Sequence, residues 1–178
     1  TDIVDVIFTI PEEVRFMLVD GRHYKTIWPN KALTGVTIID QTYLPFEFKL
    51  TELTSLEEVV EAIKLMRVRG APLIGVTGAY GIAIAITQNS SDQSLIEAKH
   101  QLIKSRPTAV NLSWAVNLMS DQLKREPRND RAKIAWILAN KLALPPIAVI
   151  LLEILYSLHR LLRYCGPPAF GPVPDLPC

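Results

Sequence analysis

Ala71-Pro72-Leu73-Ile74-Gly75-Val76-Thr77-Gly78-Ala79-Tyr80-Gly81-Ile82-Ala83-Ile84-Ala85-Ile86-Thr87 contains no charged residue. Its apolar side chains fall on every side of a helical wheel, and a helix that is apolar all round is a buried one. Gly75, Ala79 and Ala83 recur every fourth residue. Such a stripe of small side chains lets another backbone approach closely, at some cost in helix propensity from Gly75, Gly78 and Gly81. Pro72 suits the first turn, where a missing N–H removes no hydrogen bond. The stretch is therefore predicted to be a buried, tightly packed helix.

Working outward, the neighbours read as helices too. On the carboxyl side, Asn89-Ser90-Ser91-Asp92 forms a loop and cap. Leu95, Ile96, Lys99, Leu102 and Ile103 then outline an exposed helix. A further helix is predicted from about Pro107 to Lys124, and Asn129-Asp130 opens another through Lys133, Ile134, Trp136 and Ile137. Trp114 and Trp136 are both expected in the core. On the amino side, Leu56, Val59, Val60, Ile63 and Met66 or Arg67 share a helical face. Thr54 and Glu57 make a capping box for that helix, and Arg69-Gly70 should end it.

Before Leu53 the period is two. Ile3 to Ile10, Val14 to Val19 and Val36 to Ile39 read as short strands, and Asp20-Gly21 marks a hairpin between Phe16–Val19 and Tyr24–Trp28. The expected fold class is α+β, a small antiparallel β-sheet followed by a helical bundle. Three segments follow: a β-rich part over 1–52, a bundle over 53–141, and a tail over 142–178. The tail, with Pro145-Pro146, an apolar run from Ile147 to Leu155 and several prolines, differs in character from the rest. Its apolar run is shorter than the about 20 residues of a membrane span.

The chain has 178 residues, 49% hydrophobic and 21% charged, with a net charge of +1. That is globular composition, and near-neutral charge gives no broad field for nucleic acid or an anionic membrane. Cys165 and Cys178 both lie in the tail, so neither staples the body. The opening residues lack a signal-peptide pattern. A cytoplasmic protein is expected.

Chemistry concentrates at two arginines. Arg69-Gly70-Ala71-Pro72 and Arg106-Pro107-Thr108 each place an arginine just before a predicted helix start. Helix amino termini present unpaired N–H groups and partial positive charge, which suits an anion. Gly70 lets a ligand come near the backbone, and Arg69 and Arg106 can fork onto phosphate oxygens. The alternative is that each arginine pairs with an acidic neighbour or lies in solvent. His23, His100 and His159 have no partners at metal-ligand spacing and read as solvated or packed. Asp40-Gln41-Thr42 reads as a strand-end turn held by Asp and Thr hydrogen bonds. Cys165 and Cys178 have no activating neighbour.

Met66-Arg67-Val68-Arg69-Gly70-Ala71-Pro72-Leu73-Ile74-Gly75 with Gly78-Ala79-Tyr80-Gly81, and then Arg106-Pro107-Thr108-Ala109-Val110-Asn111-Leu112, resemble the two signatures of the methylthioribose-1-phosphate isomerase family. The resemblance extends over Thr26-Ile27-Trp28 and Val36-Thr37-Ile38-Ile39-Asp40-Gln41-Thr42 with Leu44-Pro45, covering roughly Val19 to Leu142. The wider family includes ribose-1,5-bisphosphate isomerases and initiation factor 2B regulatory subunits. The resemblance implies that Arg69, Gly70, Ala71 and Arg106 contact a sugar-phosphate substrate. It implies an aldose-ketose isomerisation in methionine salvage, with no metal or other cofactor, and a homodimer for intact members. The family's catalytic cysteine and aspartate belong to a carboxy-terminal Rossmann-like domain, so no catalytic residue is assigned here. Cys165 is not equated with that cysteine, because the surrounding small-residue motif is missing. The departure near Leu142 reads as a truncated or frameshifted product, expected to be inactive alone. The alternative is a non-catalytic sugar-phosphate-binding or assembly module like the initiation-factor subunits.

Overall fold

The structure, a computed structural model, describes residues 17–19 and 21–144. Ile3 to Ile10, His159, Cys165, Cys178 and the whole apolar and proline-rich tail from Pro145 lie outside the described residues. Five strands precede five helices among those described, so the α+β reading holds.

β1 (Met17–Val19) and β2 (Arg22–Tyr24) pair antiparallel, with Val19 opposite Arg22. The two-residue connection is the predicted hairpin, and Gly21 takes φ 73°, a value that suits glycine. The second strand is shorter than expected. The chain leaves this ribbon at Lys25 and begins a separate sheet of β3 (Ile27–Pro29), β4 (Val36–Ile39) and β5 (Leu50–Leu53), with β4 in the middle. Ile27 faces Ile38 and Val36 faces Leu53 across the antiparallel ladders. These four residues enter the same core as the helices.

α1 spans Leu56–Lys64. Its capping box is one residue later than expected: Ser55 Oγ accepts from Glu58 N–H (3.2 Å), and the Glu58 carboxylate accepts from Ser55 N–H (3.1 Å) and Thr54 N–H (2.6 Å). Thr54 is thus a donor to the box rather than its cap. The carboxyl end also differs from the sequence reading, by more than a turn. Met66 N–H donates to Ile63 O (3.2 Å) and Arg67 N–H to Ala62 O (2.9 Å), the paired bonds of a Schellman ending. Met66 takes the left-handed position, φ 57°, that glycine usually fills. Ending there lets Val68, fully buried, reach the core.

α2 (Ala71–Gln88) is the predicted buried helix, with twelve buried residues from Ile74 to Ile86. By length and apolarity it would suit a membrane span, yet it is largely buried inside the bundle. Its three glycines cost about 1 kcal/mol each in helix propensity. Burial of Ile82, Ile84 and Ile86 contributes about 1.5–3 kcal/mol apiece, which outweighs that cost.

α3 (Asp92–Ser105) is capped by Ser91, whose hydroxyl accepts from Ser94 N–H at 3.1 Å. Leu95, Ala98 and Leu102 are its buried residues, whereas Ile96 is half exposed. α4 (Val110–Leu123) begins three residues later than Pro107. Ala109 N–H bonds Arg106 O (3.0 Å), so Arg106 to Ala109 form a β-turn with Pro107 at its second position, a place proline favours. Trp114 is 58% exposed, which overturns its placement in the core. α5 (Arg131–Leu142) follows Asp130, which makes no side-chain cap. Trp136 is buried as expected, its indole N–H donating to Thr87 Oγ1 at 2.9 Å.

Helix directions follow from the contacts. A Cβ on Gly75 would meet Asn111 and one on Gly78 would meet Leu112 and Val116, so α2 and α4 run in the same sense. Tyr80 bonds Asn140 (2.8 Å) while Thr87 bonds Trp136, so α5 runs against α2. Buried Arg131 ties the start of α5 to the loop before α3, through Ser90 O (3.1 Å), and to the first residue of α3, through Asp92 Oδ1 (2.8 Å).

Candidate anion site at the paired helix starts

Gly75 is the fifth residue of α2 and Asn111 the second of α4, so their contact puts the first turns of both helices side by side. Arg69, Gly70 and Ala71 therefore share one end of the bundle with the Arg106–Ala109 turn. Neither helix has an acidic residue in its first turn or a side-chain cap. Their leading N–H groups are left for solvent or a ligand. Gly70 takes φ 91° and ψ 134°, and no atom lies within 4 Å of where its Cβ would be. The backbone at this helix start is open to approach.

The two arginines differ in setting. Arg69 is exposed, and its Nε–H donates to the Met66 carbonyl at 3.3 Å. Arg106 is half-buried, and its Nη1 is fully covered with no hydrogen-bond partner among the described residues. Buried polar atoms are almost always bonded, so a covered guanidinium nitrogen without a partner calls for an explanation. Among the described residues neither arginine forms an ion pair with a carboxylate. The site collects positive charge and unpaired donors, an arrangement that can bind an oxyanion.

Two surface clefts lie elsewhere. One, of about 360 Å³, is lined by Asp40, Thr42, Tyr43, Lys49, Thr51, Leu65 and Arg67. The other, of about 370 Å³, runs between Leu56, Ala85 and Ala98. Neither includes Arg69, Gly70, Ala71 or Arg106.

The Asp40 turn is built as its sequence suggests: Asp40 Oδ1 accepts from Thr42 N–H (3.0 Å) and from the Thr42 hydroxyl (2.6 Å). Sequence reading missed what the carboxylate faces. Its Oδ2 lies 3.7 Å from Arg67 Nε, and Arg67 Nη2 bonds Glu61 at 2.8 Å. No local pattern announces this pairing, since Asp40 and Arg67 come from different elements.

The model of the initiation factor 2 subunit family matches residues 67–144. Over 132 residues the chain is 46% identical to a methylthioribose-1-phosphate isomerase of Methylorubrum populi, covering 74% of this chain and 36% of the relative. The solved 5-methylthioribose 1-phosphate isomerase of Pyrococcus horikoshii superposes with a TM-score of 0.64 at 31% identity, covering 76% of this chain and 38% of that one. The translation initiation factor eIF-2B subunit delta of A. fulgidus gives 0.61 at 34% identity, covering 66% and 36%. The chain thus spans little more than a third of the length of these proteins. Both arginine motifs lie inside the matched region, so residues 67–144 carry an initiation factor 2 subunit family domain, and over this part the chain is similar to the methylthioribose-1-phosphate isomerases.

Proposed function

We propose that this chain supplies the substrate-clamping part of a methylthioribose-1-phosphate isomerase, which converts 5-methylthioribose 1-phosphate to 5-methylthioribulose 1-phosphate. Arg69, Gly70, Ala71 and Arg106 are the residues assigned to the sugar phosphate. The observation that carries this is the covered, unpartnered Nη1 of Arg106, at the end of the bundle where two uncapped helix starts meet. A phosphate or sugar oxygen would satisfy it. The reaction moves hydrogen between adjacent sugar carbons and so needs an acid/base group, which we assign to no residue of this chain. The cytoplasm and a homodimeric assembly belong to the same proposal; the body, residues 17–144, carries no cysteine that would call for an oxidising compartment. We divide the chain into a β-rich segment (1–52), the clamping bundle (53–141) and a divergent tail (142–178).

The test is calorimetric titration of the chain with 5-methylthioribose 1-phosphate beside an isomerase assay. Micromolar binding that Arg106→Ala weakens at least tenfold is the expected result. Equal affinity in the variant would remove Arg106 from the clamp.

A second reading is a non-catalytic sugar-phosphate-binding or assembly module. It is favoured by the likeness to the eIF-2B subunit delta, which matches that to the isomerase in identity and superposition. Binding without turnover fits both readings; turnover by the chain dismisses this one.

A further inference from the structure

We propose that Arg67 is a positioning residue for the anion site, acting through the Met66–Arg67 peptide to orient the Arg69 guanidinium. The proposal rests on the reading that Arg69 receives the anion. That peptide is held at both ends. Its N–H donates to Ala62 O (2.9 Å), and its carbonyl, that of Met66, accepts from Arg69 Nε (3.3 Å). The next carbonyl, that of Arg67, accepts from Gln41 N–H at 2.9 Å and so fastens the loop to the end of β4. The Arg67 side chain adds a third tether, its guanidinium lying between Glu61 Oε1 (2.8 Å) and Asp40 Oδ2 (3.7 Å).

Asp40 makes this tether stiff. Its side chain is 4% exposed and its other oxygen is committed to Thr42, so the carboxylate cannot follow a moving partner. A buried carboxylate beside a cation is also screened less than a surface pair. Meanwhile Met66 sits at φ 57°, a left-handed conformation that a side-chain-bearing residue holds only when its surroundings impose it. The Schellman bonds and the Arg67 tethers are those surroundings. Released from them, Met66 would leave this conformation, its carbonyl would turn, and Arg69 would lose the acceptor that its Nε–H now has.

Arg67→Met keeps an unbranched stem and removes the guanidinium with its charge, and Asp40→Asn removes the ion pair while keeping an acceptor for Thr42. Each is expected to weaken binding of 5-methylthioribose 1-phosphate by about tenfold in calorimetry, within the range of such indirect couplings. In an Arg69→Ala background, Arg67→Met should cost no further affinity, because its effect passes through Arg69. An equal loss in both backgrounds would overturn the proposal. The Arg69 Nε–H resonance in nitrogen-15 spectra is a readout that needs no ligand. It is expected to move toward solvent-exposed arginine values in Arg67→Met and in Asp40→Asn, each first shown to be folded by circular dichroism; an unmoved resonance in both overturns the proposal. Should the unmodified chain bind no sugar phosphate, the functional reading fails, and that resonance alone decides the positioning role.

Discussion

A methyl group on Gly75 would sit 2.9 Å from the carbonyl oxygen of Asn111, closer than real Cβ atoms come to a backbone oxygen. The absence of a side chain there is what lets the starts of α2 and α4 touch. Gly75→Ala gains about 1 kcal/mol in helix propensity. It must displace a backbone to do so, an overpacking that costs about 1–3 kcal/mol. The expected net is destabilisation in urea unfolding, together with weaker sugar-phosphate binding as the two helix ends part. Gly78→Ala should cost less, since the nearest atom is Leu112 Cδ1, the end of a side chain that can rotate.

Gly70 tests strain without crowding. No atom lies within 4 Å of its missing Cβ, yet its φ of 91° is one that side-chain-bearing residues rarely adopt. Gly70→Ala is expected to cost about 1–3 kcal/mol through the backbone alone. Urea midpoints of the variant and parent measure it; an unchanged midpoint would mean that the helix start relaxes freely.

Asp92 is held below the usual carboxylate range by hydrogen bonds from Arg128 and Arg131, which outweigh its desolvation. Because the folded-state value is lowered, its contribution is present at neutral pH and is lost as pH falls through that value. Asp92→Asn should therefore lower the urea midpoint at pH 7, and the gap from the parent should close on acidification below about pH 4. A gap that is constant with pH would assign the effect to packing instead.

Trp114 and Trp136 should behave oppositely. Trp136 is 3% exposed, bonded to Thr87 and 5.9 Å from the Tyr80 ring, so Trp136→Ala is expected to cost about 3–5 kcal/mol. Trp114→Ala should fall within about 0.5 kcal/mol of the parent, as exposed positions do. Acrylamide should quench Trp114 emission and leave that of Trp136 nearly untouched.

Much of this was legible locally. The all-round apolarity of Ala71–Thr87 gives a buried helix because no face can be left to water, and Asp20-Gly21 gives a hairpin because glycine accepts positive φ. Boundaries were less legible. Thr54 and Ser55 can both cap, and only the reach of Glu58 decides between them. Pro107 suits both a helix start and a β-turn, and the hydrogen bond from Ala109 to Arg106 selects the turn. Trp114 lies in a helix of mixed pattern, where composition does not say which face meets the core.

The sequence by itself determined the α+β class, the buried helix and the residues proposed for the anion, since these rest on periodicity, turn chemistry and motif. Only the tertiary structure decided that the two arginine motifs lie at one end of the bundle. That depends on α2 and α4 running in the same sense, which the Gly75 and Asn111 contact fixes and no local pattern encodes. It likewise decided that Asp40 meets Arg67. An ion pair between a strand end and a post-helix loop exists only once the sheet and the bundle have packed together.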